Sequence, residues 1–132
     1  MSEGPAVRGV VVGHGDMPRG LVDAVRHIAG NVADDLVPVS NEGLGPEQLT
    51  REIDEAAGSG PVVVFTDLLS GSCGVAAAYT CRDRERRAVI CGVNLPMLLD
   101  FVFHTDMPLP QLVGRLVEKG REAIRAVAVA GS

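Results

Sequence analysis

The chain has 132 residues with 17 acidic and 12 basic side chains, a formal net charge of −5, the size of one domain that buries a core without metals or disulfide staples. Its basic residues are scattered apart from the mixed-sign run RDRERR at residues 82–87, which reads as a solvated loop, so the electrostatic footprint of a nucleic-acid binder is missing. Cys73, Cys81 and Cys91 are odd in number and lack CxxC spacing, no signal pattern precedes Val7, and no apolar run approaches the roughly 18 residues of a membrane span; a soluble protein of a reducing cytoplasm is expected, without a zinc site.

Residues 7–12 form an apolar run interrupted only by Arg8 and closed by glycine, the pattern of a central strand buried on both faces. After Pro18, the residues Leu21, Val22, Val25, Ile28 and Ala29 recur at helical spacing until Gly30. DDLVPVS is a short strand whose Pro38 cannot donate a ladder hydrogen bond, which places it at a sheet edge. Leu49, Ile53, Ala56 and Ala57 then make a second helical stripe, broken at residues 58–61. PVVVFTD repeats the first strand's pattern and stops at Asp67, the small residues from Gly74 to Cys81 predict a compact helix, and AVICGVN predicts a fourth strand ending near Asn94. LPMLLDFVF predicts a short helix entered through Pro96. Leu109, Leu112, Val113, Leu116, Val117, Ala123, Ile124 and Val127 trace a longer amphipathic one, and VAVAGS suits a last short strand. Strands alternating with helices of about a dozen residues imply right-handed crossovers and a parallel sheet covered on both faces.

In such a sheet, ligands bind beyond the carboxyl ends of the strands. His14, Asp67 and Asn94 fall at three of those ends. The loop DLLSGSCG, residues 67–74, leads into a helix, so its backbone N–H groups can face an anion at the positive helix end, while Ser72 can equally cap that helix. A neutral imidazole becomes a nucleophile near pH 7 when its other ring nitrogen is held, and Asp67 can hold it. The glycines on either side, Gly13 and Gly15, leave the His14 ring unshielded. His14, Asp16 and Asp67 make a poor metal set, lacking a further His or Glu. His27 and His104 read as structural, and Met97 and Met107 as gap fillers.

The segments VVVGHGDMPRGLVDAV, VVVFTDLLSGSC, CGVNLPMLLD and KGREAIRAV together resemble the EIIA component of the mannose family of the bacterial phosphoenolpyruvate-dependent sugar phosphotransferase system (PTS), over nearly the whole chain and most specifically at GVNLPM. The resemblance implies a three-layer α/β/α sandwich. Its mainly parallel open sheet has four strands plus a short antiparallel C-terminal strand, exchanged in a homodimer. It implies a phosphocarrier in which His14 takes a phosphoryl group from phospho-HPr and passes it to a cognate EIIB, with EIIC and EIID as indirect membrane partners. Asp67 then orients His14, and Ser72 with backbone N–H groups of Gly15, Gly71 and Cys73 receives the phosphate. Asn94, Pro96 and Met97 belong to a loop bordering the site, and no cofactor or metal is required.

Where the family usually has two glycines, serine and proline, this chain has Ser70, Gly71, Ser72 and Cys73. A Ser70 forced to positive φ would be strained by about 1–2 kcal/mol. A Cys73 thiol at a helix start is expected to have a depressed pKa and to make transfer sensitive to oxidation. Of the rivals, a response-regulator receiver lacks its acidic pair after strand one, where Gly13, His14 and Gly15 stand. A regulatory domain of the same fold uncoupled from transport, and a dihydroxyacetone kinase phosphocarrier, remain alternatives.

Overall fold

The computed structural model describes residues 5–81 and 86–131. Four strands, β1 (Arg8–Gly13), β2 (Leu36–Ser40), β3 (Val62–Thr66) and β4 (Arg87–Cys91), form one sheet in the order β2-β1-β3-β4 with every pairing parallel. β1 and β3 are central because they are valine-rich and buried throughout their interiors, as a sheet covered on both faces requires. β2 lies at an edge, where Pro38, facing Val11 in the register, costs no ladder bond on its open side.

The helices are α1 (Met17–Ala29), α2 (Pro46–Ala57), α3 (Ser72–Thr80), α4 (Leu95–Val102) and α5 (Leu109–Glu122). Successive strand side chains point to opposite faces, and the core divides accordingly. Val11, Val63 and Phe65 pack with Val25 of α1, Leu98 and Phe101 of α4 and Leu112 and Leu116 of α5. Val10, Val12 and Val64 pack with Leu49 and Ile53 of α2 and Ala76 and Ala77 of α3. The result is a three-layer α/β/α sandwich in which α1, α4 and α5 cover one face and α2 and α3 the other. α1 and α2 end where glycine was expected to end them, at Gly30 and Gly58, both at positive φ.

The structure corrects the sequence expectations at four places. A 3-10 turn, Gly30–Asp35, intervenes between α1 and β2; the sequence pattern gave no sign of it beyond its polar composition. α5 stops at Glu122 rather than continuing to Val127, and Ile124 and Val127 beyond it are 76% and 98% exposed. The tail adds no strand to the sheet among the described residues. In the charged run, residues 82–85 lie outside the described residues, but Arg87 belongs to β4 rather than to a solvated loop. Its guanidinium donates to Asp54 and to the carbonyls of Thr80 and Gly58. No helix among the described residues is long and apolar enough to cross a membrane.

Candidate functional site

From β1 the chain crosses to β2 on one side, and β3 later pairs on the other, so the order reverses between β1 and β3. At such a switch point the connecting loops diverge and leave a crevice. His14 follows β1 and Asp67 follows β3, and their side chains meet: His14 Nδ1 is 2.6 Å from Asp67 Oδ2. The same oxygen accepts the His14 backbone N–H at 3.0 Å, and Oδ1 accepts the Leu68 N–H at 2.9 Å. Burial alone would raise the Asp67 carboxyl, but hydrogen bonds from the His14 ring and backbone, the charge of His14 and the Leu68 N–H outweigh it and hold the group below its usual 3.8. An ionised carboxylate only accepts, so Nδ1 is the donating nitrogen, and in the neutral ring the lone pair then falls on Nε2. Nε2 makes no hydrogen bond among the described residues, and the imidazole side chain is 48% exposed against 18% for Asp67.

The loop after Asp67 brings the start of α3 to this imidazole. Gly71 occupies the N-cap at φ 97 and ψ −179, and a Cβ there would lie 4.0 Å from His14 Cε1. Positive φ thus falls on a glycine, and the strain expected at Ser70 does not arise, since no described non-glycine residue has positive φ. Ser72 is the first helical residue and not a cap: no side chain caps α3, so the N–H groups of its first turn, from Ser72 to Gly74, are left for an anion. Gly74 is required by close approach, for a Cβ would stand 2.6 Å from the Leu69 carbonyl oxygen and 2.9 Å from that of Leu68.

Cys73 departs most from expectation. Its Sγ is 3.9 Å from His14 Nδ1, but the residue is buried. Burial pushes the thiol's pKa up, the negative charge of Asp67 pushes it further, and a hydrogen bond with Ser72 offsets only part. The helix end does not win, and a covered, protonated thiol removes the basis for the expected sensitivity to oxidation.

Gly13 is buried and does not simply unshield the ring: a Cβ there would meet Met17 Cε at 2.1 Å and Asp67 Oδ2 at 3.2 Å, so it makes room for Asp67. Open space belongs to Gly15 alone of the two, at φ 58 with nothing within 4 Å of a Cβ. Two residues that the sequence reading passed over brace Gly15 from the end of β2: Ser40 Oγ donates to its carbonyl at 2.8 Å, and Asn41 Oδ1 accepts its N–H at 3.4 Å. Their signal was position, at the same sheet edge as His14.

Asn94 does not converge with this pair through any hydrogen bond. It caps α4 by accepting the Met97 N–H at 3.1 Å and donates to the Gly120 carbonyl at 2.9 Å. Met97 is buried in the core, as a gap filler, and among the expected loop residues Pro96 alone is exposed. Asp16 is exposed and stands outside the cluster of donor atoms formed by His14, Asp67 and Cys73. His27 and His104 each bond a carbonyl one helical turn back, of Asp23 and Asp100, which agrees with structural roles.

The chain is 32% identical over 95 residues to the mannose-specific EIIAB component of the PTS of Escherichia coli strain K12, covering 70% of this chain and 29% of that protein, so it corresponds to under a third of that relative's length. It is 32% identical over 117 residues to the sorbose-specific EIIA component of Lacticaseibacillus casei, covering 83% of this chain and 82% of that one. Its fold matches the EIIA component from Streptococcus agalactiae with a TM-score of 0.84 at 22% identity, over 91% and 96% of the two chains. It matches the mannose/sorbose-specific IIA subunit from Enterococcus faecalis at 0.80 and 23%, over 97% and 99%. The sequence model of the EIIA-man family, described as the fructose IIA component of the PTS, matches residues 9–126, and the chain belongs to that family.

Proposed function

We propose that the chain is a phosphocarrier of a sugar PTS, taking a phosphoryl group from phospho-HPr on His14 Nε2 and passing it to a cognate EIIB. The observation that carries this reading is the 2.6 Å contact of Nδ1 with Asp67, which leaves Nε2 as the nucleophilic nitrogen beside the start of α3. In the transfer, the Nε2 lone pair attacks phosphorus in line as the donor's P–N bond breaks and its electron pair returns to the donor imidazole. Positive charge then grows on the His14 ring, and the ionised Asp67 is fixed where it stabilises that charge. Ser72 and the N–H groups of Gly71, Ser72 and Cys73 receive the oxygens, a backbone role for Cys73; the Gly15 N–H, expected to join them, is held instead by Asn41. A helix end contributes about 0.3–2 kcal/mol to an anion, enough to favour the phosphorylated state and small enough for onward transfer.

The surroundings suit macromolecular partners. Leu68, Leu69 and Val75 are 55%, 82% and 68% exposed next to the site. An open groove of about 630 Å³ runs from Gly71 and Ser72 past Val75 to Pro46 and Thr50. The extended apolar tail, with Val127 98% exposed, supports a homodimer in which it pairs with the β4 edge of a second copy, burying both.

Intact-mass measurement after incubation with phosphoenolpyruvate, enzyme I and HPr tests the reading. One added phosphoryl group is expected, mapped to His14 and absent in His14→Ala; labelling that persists in that variant overturns the assignment.

A further inference from the structure

The site holds three metal-binding groups that a phosphocarrier does not need together. His14 Nδ1 is 2.6 Å from Asp67 Oδ2 and 3.9 Å from Cys73 Sγ, and one donor atom from each residue lies within 4.8 Å of the others. Zinc binds imidazole, carboxylate and thiolate at about 2.0–2.3 Å, so ligand atoms around a tetrahedral ion stand about 3.4–3.6 Å apart. Both separations differ from that by about 1 Å or less: Nδ1 and Oδ2 have to part, and Nδ1 and Sγ have to close. Two of the ligands are already positioned, since Asp67 is fixed through the N–H groups of His14 and Leu68, and Cys73 is packed in the core at the start of α3. Soft sulfur beside nitrogen and oxygen selects a zinc-like ion over magnesium or calcium.

We propose that His14, Asp67 and Cys73 bind a zinc-class divalent cation, and that the bound ion blocks phosphoryl transfer. The inhibitory half rests on the phosphocarrier reading above; the binding half does not. The block follows from the ring's proton. An ion on Nδ1 displaces the proton now donated to Asp67, and a neutral imidazole then carries that proton on Nε2. The nucleophilic lone pair is gone. Deprotonation of the Cys73 thiol releases the one proton that leaves the site, and the ion's two positive charges balance Asp67 and the thiolate. The metal is a reversible inhibitor here and supplies no chemistry to the transfer.

The full chain is titrated with Co²⁺ without any phosphoryl donor. Saturation at one ion per chain is expected, with a thiolate-to-cobalt charge-transfer band that Zn²⁺ abolishes by competition. Cys73→Ser and Cys73→Ala should each weaken binding at least about tenfold, the lower end of what disturbing a metal site costs. A band that persists in both variants, arising from Cys81 or Cys91, overturns the site. Long-range ¹H–¹⁵N NMR of the wild-type imidazole is independent of any variant's folding. Zn²⁺ should move the His14 proton from Nδ1 to Nε2, and an unchanged tautomer at saturating Zn²⁺ overturns the proposal. In the labelling assay, near-stoichiometric Zn²⁺ should stop phosphorylation and a chelator restore it. Equal zinc sensitivity in wild type and Cys73→Ala, each against its own metal-free rate, overturns the inhibitory half. A chain that takes up no phosphoryl group even metal-free removes the phosphocarrier reading and leaves the cobalt and NMR results to decide the site.

Discussion

Asp67 has two measurable signatures. Asparagine there can still accept the His14 N–H, but it carries no charge to oppose the cation that grows on the ring. Phosphorylation of Asp67→Asn should therefore slow about 10- to 100-fold, as expected for a charged hydrogen bond of about 1.5–3 kcal/mol, measured by rapid-quench labelling. The second signature is stability. The carboxyl is held below its usual 3.8 in the folded chain, so its contribution is complete above that value and drains away as pH falls through the lower, folded one. The stability gap between wild type and Asp67→Asn should thus shrink as pH falls below about 4, read from urea unfolding across a pH series. His14 and Asp67 were legible in sequence because each stops an apolar strand. The state of the Cys73 thiol was not, because burial and the nearby Asp67 charge are tertiary facts that helix position alone does not contain.

At the scale of elements, the start of α3 depends on how tightly it packs under its own loop. Gly74→Ala places a methyl against backbone oxygens of Leu68 and Leu69, which cannot rotate away. A loss of about 1–3 kcal/mol is expected, with a fall in His14 labelling because the loop carries Asp67's neighbours. Gly114→Ala is the control: it lies on the exposed face of α5 with nothing within 4 Å of a Cβ, and should raise stability by up to about 1 kcal/mol without touching labelling. Thermal unfolding beside the phosphorylation assay separates the two. Element type followed from the sequence wherever period and breaker agreed, as in β1, β3, α1 and α2. The reading overran in α5, because Ile124 and Val127 continue the helical spacing past Glu122 with no core left to meet. It missed the 3-10 turn, whose polar residues carry no period.

For the whole molecule, the sheet order explains why two residues separated by 53 positions share a proton. The reversal between β1 and β3 follows from right-handed crossovers once β2 is at an edge, and Pro38 announced that edge. Assembly was less legible: VAVA suits a strand, but a strand needs a neighbour, and a single chain does not supply one. On the proposed dimer, deleting residues 124–132 should convert a dimer into a monomer in sedimentation at equal concentration. A truncated chain that sediments like the full one would falsify the tail's role.

Asp67 Oδ2 takes both the side-chain and the backbone N–H of one residue, His14. A carboxylate oxygen that grips both the backbone and the ring nitrogen of one residue holds that ring in one resting orientation. On the proposed carrier role the two partners then visit in turn and read the same fixed address, which makes them competitors for one surface. Timing of delivery and collection is then set by how fast each partner leaves, and not by any motion of the carrier's imidazole.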